Sequence, residues 1–433
     1  MPVAISSVFL GSSKNFRVIQ RLNMRLSSWW SAVPLAPPDP ILGKIDSFAN
    51  DRNPRKVNVG IGIYRDDNGK PYILPSVRRA ECRVFEKKLD KEYLPHTGCP
   101  TFTQLAAKLA FGKKHSVITD GKHATFQTIS GTGALRLIGI LVKEFFPGHK
   151  EIYLPNPSWG NHENIFRNSG LTVNSYEYFQ PGCFKFNEGV VFDAINKIPE
   201  KSLILFHACG HNPTGIDPSP EQWRELSQLI KRRNLLTIFD LTYLGFASGD
   251  IDRDAFGVRQ FASDGLEFIV AQSFAKNMGL YGERVGAVSF VTKSPDHCSN
   301  ILSQVTECIK GMYWSPPNHG VRIATEILND KELFHEWKED VKGMTERLTR
   351  MRYSLKRYLE KWGSSRSWEH ITDHVGWFTY SGLNSLECQC LTSKYSVHIT
   401  KDGRMALTGV TPDNVEYLAF AIREVTLHNK GKF

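Results

Sequence analysis

From Lys201 onward, short apolar runs alternate with amphipathic stretches. Leu203-Ile204-Leu205-Phe206 is too short for a helix and leads to the turn signal Asn212-Pro213-Thr214-Gly215, which predicts a buried strand. Ser219-Pro220-Glu221-Gln222 then carries a helix start, with serine at the N-cap, proline at N1 and glutamine at N3. Trp223, Leu226 and Ile230 recur on one face of that helix, and Lys231-Arg232-Arg233 suits its C-terminal dipole. Leu235 to Phe239 predicts a second strand, ending at Asp240. Phe268 to Ala271 predicts a third, running into Ser273 and Lys276. Continuous apolar strands joined by helical crossovers predict an α/β chain whose mostly parallel sheet is covered by helices on both faces. Such sheets bind ligands beyond the carboxyl ends of their strands. Asn212, Asp240 and Lys276 all fall there.

From about Asp340 the texture changes. A long charged helical stretch, Met344 to Trp362, is followed by short strand-like runs such as Val375 to Tyr380, which predicts a smaller domain of mixed α+β type. No repeat or low-complexity tract interrupts the 433 residues, a length that fits two intimate domains.

Composition changes this picture little: 41% hydrophobic and 23% charged residues suit a globular protein. No run reaches the roughly 18 apolar residues that span a bilayer. The eight cysteines form no CxxC pair, so reduced, structural thiols are expected. The formal net charge of +10 is partly local, because residues 1–26 hold Lys14, Arg17, Arg21 and Arg25 and the first acid is Asp39. Spaced arginines, serines and no acid predict a mitochondrial transit peptide rather than a secretory signal, a plain basic tail being the alternative. The remaining charge suits anionic small substrates. No basic run is interleaved with aromatics, so nucleic acid is not an expected partner.

Candidate chemistry gathers at the predicted strand ends. In Ser273-Phe274-Ala275-Lys276, with Arg284 eight residues later, the lysine is suited to hold an aldehyde cofactor covalently and later to act as a base. Ser273 and Arg284 suit a phosphate. A lone lysine after a strand is more often a surface residue. Asp240 and Tyr243 offer a carboxylate for a protonated pyridine nitrogen and a phenol for the ring oxygen, to which Asn212 could add an amide. Separately, each is also explained as turn chemistry. Ser130-Gly131-Thr132-Gly133-Ala134-Leu135-Arg136 reads as a loop entering a helix, whose free N–H groups attract an anion. Arg136 stands where a dinucleotide fingerprint needs glycine, which excludes that reading. Trp159 could stack on a planar cofactor or simply pack in the core.

Together these segments resemble the aspartate aminotransferases, mitochondrial type, among the fold-type I pyridoxal-phosphate (PLP) enzymes. The resemblance runs from Ser27-Ser28-Trp29-Trp30 almost to the C-terminus. It includes Pro37-Pro38-Asp39-Pro40-Ile41-Leu42-Gly43, Tyr64-Arg65-Asp66-Asp67-Asn68-Gly69-Lys70-Pro71-Tyr72, Asp90-Lys91-Glu92-Tyr93-Leu94-Pro95 and Asp402-Gly403-Arg404. It implies that Lys276 forms the Schiff base with PLP and moves the proton of the transamination. It implies that Asp240 meets the pyridine nitrogen, that Asn212 and Tyr243 meet the ring oxygen, and that Trp159 stacks on the ring. Ser130, Gly131, Thr132, Ser273 and Arg284 match the phosphate cradle. Tyr93 matches the tyrosine that reaches the neighbouring subunit's phosphate, which implies a homodimer with shared sites. Arg404 and Gly62 match contacts to the substrate, to which Trp159 and Asn212 also contribute; no metal is implied. The implied layout is a transit peptide at 1–26, a small domain from 27–71 and 344–433, and a large PLP-binding domain at 72–343, working in the mitochondrial matrix. The implied reaction converts L-aspartate and 2-oxoglutarate to oxaloacetate and L-glutamate.

One departure bears on specificity. In Ile309-Lys310-Gly311-Met312-Tyr313-Trp314-Ser315, the family has arginine at Lys310, to grip the substrate's distal carboxylate from across the dimer, and serine at Trp314. Ile63 replaces an alanine beside Gly62. Lysine keeps the charge but loses the bidentate fork. Two alternatives therefore stay open: a transaminase of aromatic amino acids or kynurenine, and a low-turnover paralogue serving as a binding protein.

Overall fold

The computed structural model describes residues 29–36, 42–180, 182 and 184–427. The basic segment 1–26 and most of the Pro37–Gly43 motif lie outside them. The chain divides into two units, Met1–Gly43 and Lys44–Phe433. Among the described residues the strands are β1 (Val57–Asn58), β2 (His123–Ile129), β3 (Glu151–Asn156), β4 (Thr172–Glu177), β5 (Leu203–His207), β6 (Leu236–Leu241), β7 (Phe268–Ser273), β8 (Val285–Val291), β9 (Phe378–Tyr380), β10 (Val397–His398) and β11 (Arg404–Ala406).

Strands β2 to β8 form one sheet in the order β2-β8-β7-β6-β5-β3-β4. Neighbours are parallel except around β8, which runs against both β2 and β7. The expected mostly parallel sheet is present, with one reversed strand. β5, β7 and β8 are buried along their whole length, and β6 at all but its first residue. Layers on both faces leave no polar alternation to write into such strands. The helix Pro220–Arg232 starts at the expected capping box, Ser219 accepting from the Gln222 N–H and the Gln222 side chain accepting in return. Trp223, Leu226 and Ile230 are its buried face.

Strand direction positions the site. The chain leaves β2, β3, β5, β6 and β7 at one edge of the sheet, so residues just past Ile129, Asn156, His207, Leu241 and Ser273 become neighbours. β8 enters at that same edge, which brings Arg284 there from the opposite direction. Register holds Asp240 between His207 and Ala271, and Ser273 opposite Gly286.

The charged helix is longer than its sequence pattern predicts. It spans Lys331–Lys361 because Asp330 caps it, accepting from the Glu332 and Leu333 N–H groups, and because Leu333, Trp337 and Val341 extend its apolar face upstream. The strand-like run from Val375 shortens to β9, since Gly376 takes φ +76° and the Val375 N–H turns to the Gly215 carbonyl (2.7 Å). Buried Arg352 holds this turn by donating to the carbonyls of Ile371, Val375, Gly376 and Phe378 at 2.7–3.2 Å. β9 pairs antiparallel with β11, setting Arg404 opposite Tyr380, while β1 pairs with β10. Among the described residues no disulfide forms, and no helix is long and apolar enough to cross a membrane.

Candidate active site

β7 delivers Ser273 and, after a turn, Lys276. The Lys276 Nζ donates to the Gly62 carbonyl (3.0 Å) and lies 5.1 Å and 5.2 Å from the ring centres of Tyr281 and Trp377. Burial first, then the charges of Arg284 and Arg404, lower this amine to about 8. A usable fraction is therefore neutral near physiological pH, as a proton-transferring base requires.

Asp240, at the end of β6, is buried and accepts from the Thr242 hydroxyl (2.5 Å) and from His162 Nε2 (3.0 Å). Burial opposes its charge, but His162, His207 and Thr242 outweigh that and hold the carboxyl below its ordinary range. The support continues inward. Burial, then the neighbouring His162, depress His207 to about 3, so it is neutral. Its Nδ1 accepts from the Asn212 N–H (3.3 Å), which assigns the proton to Nε2 and directs it at Ser158 Oγ (3.4 Å). Ser158 in turn reaches His162 Nδ1 (2.8 Å), leaving Nε2 of His162 to donate to Asp240.

Asn212 is buried, and its Oδ1 finds no hydrogen-bond partner among the described residues. A buried amide oxygen in that state is a site for a ligand donor. Tyr243 is buried beside it; burial and then the Asp240 charge push its phenol up, with Arg404 and the Asn212 amide acting against them.

The helix Ser130–Phe145 begins at the same edge, with no acidic residue in its first turn, so its free N–H groups face the site uncompensated. Ser130 Oγ lies 2.9 Å from Ser273 Oγ, and the Ser130 N–H is held by the Arg284 carbonyl (3.0 Å). A Cβ on Gly131 would come within 3.3 Å of Ser273 and 3.4 Å of Thr242, so glycine keeps this cradle open. Thr132 follows in the same turn. Arg284 is half-buried, with Nη1 on the Tyr281 carbonyl (3.0 Å).

Arg404 enters from β11. Its Nη2 donates to the Gly60 carbonyl (2.6 Å), its guanidinium lies 4.9 Å from the Phe378 ring centre, and its buried Nε has no partner among the described residues. Gly62 must be glycine here, because a Cβ would come within 2.7 Å of Phe378. Trp159 is half-buried and meets His162 edge-on at 5.2 Å.

Two sequence candidates stand outside this cluster. Tyr93 is 82% exposed. Lys310, near the end of the helix Pro295–Met312, pairs with Glu307 one turn back (2.9 Å). Trp314 is exposed at φ +66°, its ring edge-on to His96 at 4.8 Å. Conversely, sequence reading gave no role to Ser158, His162, His207, Thr242, Tyr281 or Trp377. The four-residue step from Ser158 to His162, around Trp159, was the available signal for two of them.

An amine, a buried carboxylate, an amide and phenol pair, and an anion cradle thus converge on one sheet edge. The set fits a planar aldehyde with a protonated ring nitrogen and a phosphate: each part has a partner of matching charge, and the orphaned Asn212 Oδ1 has room for a donor.

The chain matches the family described as aminotransferase class I and II over residues 54–422. It is similar to the mitochondrial aspartate aminotransferase of Gallus gallus, with 49% identity covering 93% of this chain and 95% of that protein. The corresponding protein of Xenopus tropicalis is 47% identical, covering 98% and 100%. Among solved structures, an aromatic-amino-acid aminotransferase from Burkholderia pseudomallei, covalently bound to pyridoxal phosphate, superimposes with a TM-score of 0.90 at 35% identity, covering 92% of this chain and 100% of that one.

Proposed function

This chain belongs to the class I and II aminotransferases, and from that premise we propose that it transfers the amino group of L-aspartate to 2-oxoglutarate, using PLP carried covalently on Lys276. The observation that carries the reading is the gathering at one edge of the sheet of the Lys276 amine, lowered to about 8, with Asp240 and the Ser130–Ser273–Arg284 cradle. PLP supplies the electron sink that makes a substrate Cα–H acidic. The chain's own residues do the rest. Ser130, Gly131, Thr132, Ser273 and Arg284 hold the phosphate, Asp240 keeps the ring nitrogen protonated, Asn212 and Tyr243 hold the ring oxygen, and Trp159 covers the ring face. Arg404 binds the substrate α-carboxylate, with Gly62, Trp159 and Asn212 also lining the substrate. Lys276 takes the proton from Cα and returns it on the cofactor side. Asp240 does not titrate in the working range, so it supplies a fixed negative charge, the kind of preorganised electrostatic support that lowers barriers most.

Tyr93 and Lys310 serve a second copy of the chain in a homodimer with shared sites, which accounts for their standing outside the intrachain cluster. The small domain (27–71 with 344–433) and the large domain (72–343) share the helix Lys331–Lys361, giving a continuous lever between them. Residues 1–26 direct the protein to the mitochondrial matrix. Reduction with borohydride followed by mass spectrometry tests the central claim. PLP should be found on the Lys276 peptide, and Lys276→Ala should lose transamination. A parent protein that holds no PLP, or a Lys276→Ala variant as fast as the parent, would sink it.

One observation favours a second reading, altered side-chain preference. The Lys310 ammonium is already engaged by Glu307 on its own helix, which weakens the grip on a distal carboxylate.

A further inference from the structure

Trp377 lies just ahead of β9, fully buried. Its ring packs against Phe246 (5.1 Å) and Tyr243 (5.6 Å) and presents itself 5.2 Å from Lys276 Nζ, with Tyr281 at 5.1 Å from the same amine. Its backbone is pinned: the Leu407 N–H donates to its carbonyl (2.8 Å), and Arg352 donates to the carbonyls of Gly376 and Phe378 on either side. The indole Nε1 nevertheless has no hydrogen-bond partner among the described residues. A buried orphan N–H is costly, and a core built round a purely apolar side chain would avoid that cost. Packing alone does not account for tryptophan at this position.

We infer that Trp377 is a positioning residue for Lys276: its ring face, with that of Tyr281, holds the lysine ammonium whenever the amine is not bonded to the cofactor. This rests on the function proposed above, in which Lys276 must leave the cofactor, collect a proton and deliver it. Among the charged and titratable groups around that amine, Arg284 and Arg404 repel an ammonium, Tyr243 and Tyr281 are neutral, and the charge of Asp240 is committed to His162 and Thr242. Two aromatic faces attract the charged amine and are indifferent to the neutral one, so they offset part of the lowering caused by burial.

The test uses the full chain freed of PLP. The rate at which acetic anhydride acetylates Lys276, followed by mass spectrometry across pH, reports the apparent midpoint of its amine. Trp377→Leu should lower that midpoint by roughly 0.5–1.5 pH units, and Trp377→Phe should restore most of the shift. Water admitted by the smaller side chain would move it upward instead, so an unchanged or raised midpoint in Trp377→Leu overturns the inference. If Trp377→Leu does not fold, the parent labelled with 5-fluorotryptophan decides. The fluorine resonance assigned through Trp377→Phe should titrate with the Lys276 midpoint and stop titrating in Lys276→Met, and a flat resonance in the parent overturns the inference. Failure of the underlying function reads out separately, as a parent chain that takes up no PLP on Lys276.

Discussion

Asp240 and His162 form a buried pair in which Nε2 of the histidine donates to the carboxylate at 3.0 Å. Ser158 and His207 hold His162 in the tautomer that makes this possible. His162→Ala removes one charge-assisted hydrogen bond and leaves the desolvation of Asp240 opposed by Thr242 and His207 without their largest ally, raising its carboxyl. At roughly 1.5–3 kcal/mol for such a bond, kcat/KM should fall about 10–100-fold. The loss should be equal for aspartate and phenylalanine as donors, since the role proposed for Asp240 is toward the cofactor ring and not the substrate side chain. Unequal losses measured in steady-state assays would contradict that assignment.

Buried histidines make the fold acid-sensitive, and three of them illustrate the size of the effect. Burial is the largest cause in each case, depressing His207 and His374 to about 3 and His370 to about 4. The unfolded chain binds these protons near pH 6.5, while the folded chain refuses them until pH 3–4. Stability is therefore complete above about pH 6.5 and declines as pH falls from there, by about 2 kcal/mol per histidine at pH 5. Urea unfolding at pH 7.5 and pH 5 should show this decline, and His374→Asn should reduce its slope. Equal stability at both values would show that these rings bind protons in the folded state.

Much of this arrangement is legible in the sequence. The continuous apolar character of β5, β6 and β7 announced buried parallel strands, and their ends announced Asp240 and Lys276. The reversal of β8 was not legible, because a strand buried on both faces has the same composition in either direction. The start of the Lys331–Lys361 helix was missed because its upstream turns are rich in charge while burying only Leu333, Trp337 and Val341 along one stripe. The roles of His162, His207 and Trp377 depend on which segments the fold brings together across long separations, and no local spacing encodes that.

Arg352 is a structural keystone by its donors. Its guanidinium serves four carbonyls in the turn that carries Trp377, and no carboxylate is among the hydrogen-bond partners it has there. Arg352→Met keeps the stem's packing but orphans those carbonyls, which should cost about 3–5 kcal/mol by analogy with other buried charged groups. Chemical denaturation measures this directly. A loss below about 1 kcal/mol would mean that water replaces the guanidinium readily.

The proposed role of Lys310 separates the two substrate preferences. Its ammonium, bonded to Glu307 at 2.9 Å, can offer a distal carboxylate a single point charge, already shared. Lys310→Arg supplies a planar fork, and Glu307→Gln frees the existing charge; in the proposed homodimer each change is confined to the groups assigned to the substrate's far end. One additional charge-assisted hydrogen bond should raise the kcat/KM ratio of aspartate over phenylalanine about 10–100-fold in Lys310→Arg. Glu307→Gln should raise it less, since it adds no donor geometry. The visible response of the cofactor to cysteine sulfinate, a dicarboxylate-like amine, should follow the same order. If the ratio is already high in the parent and Lys310→Ala leaves it there, the distal carboxylate is held by other residues. The altered-specificity reading then fails while the chemistry on Lys276 stands.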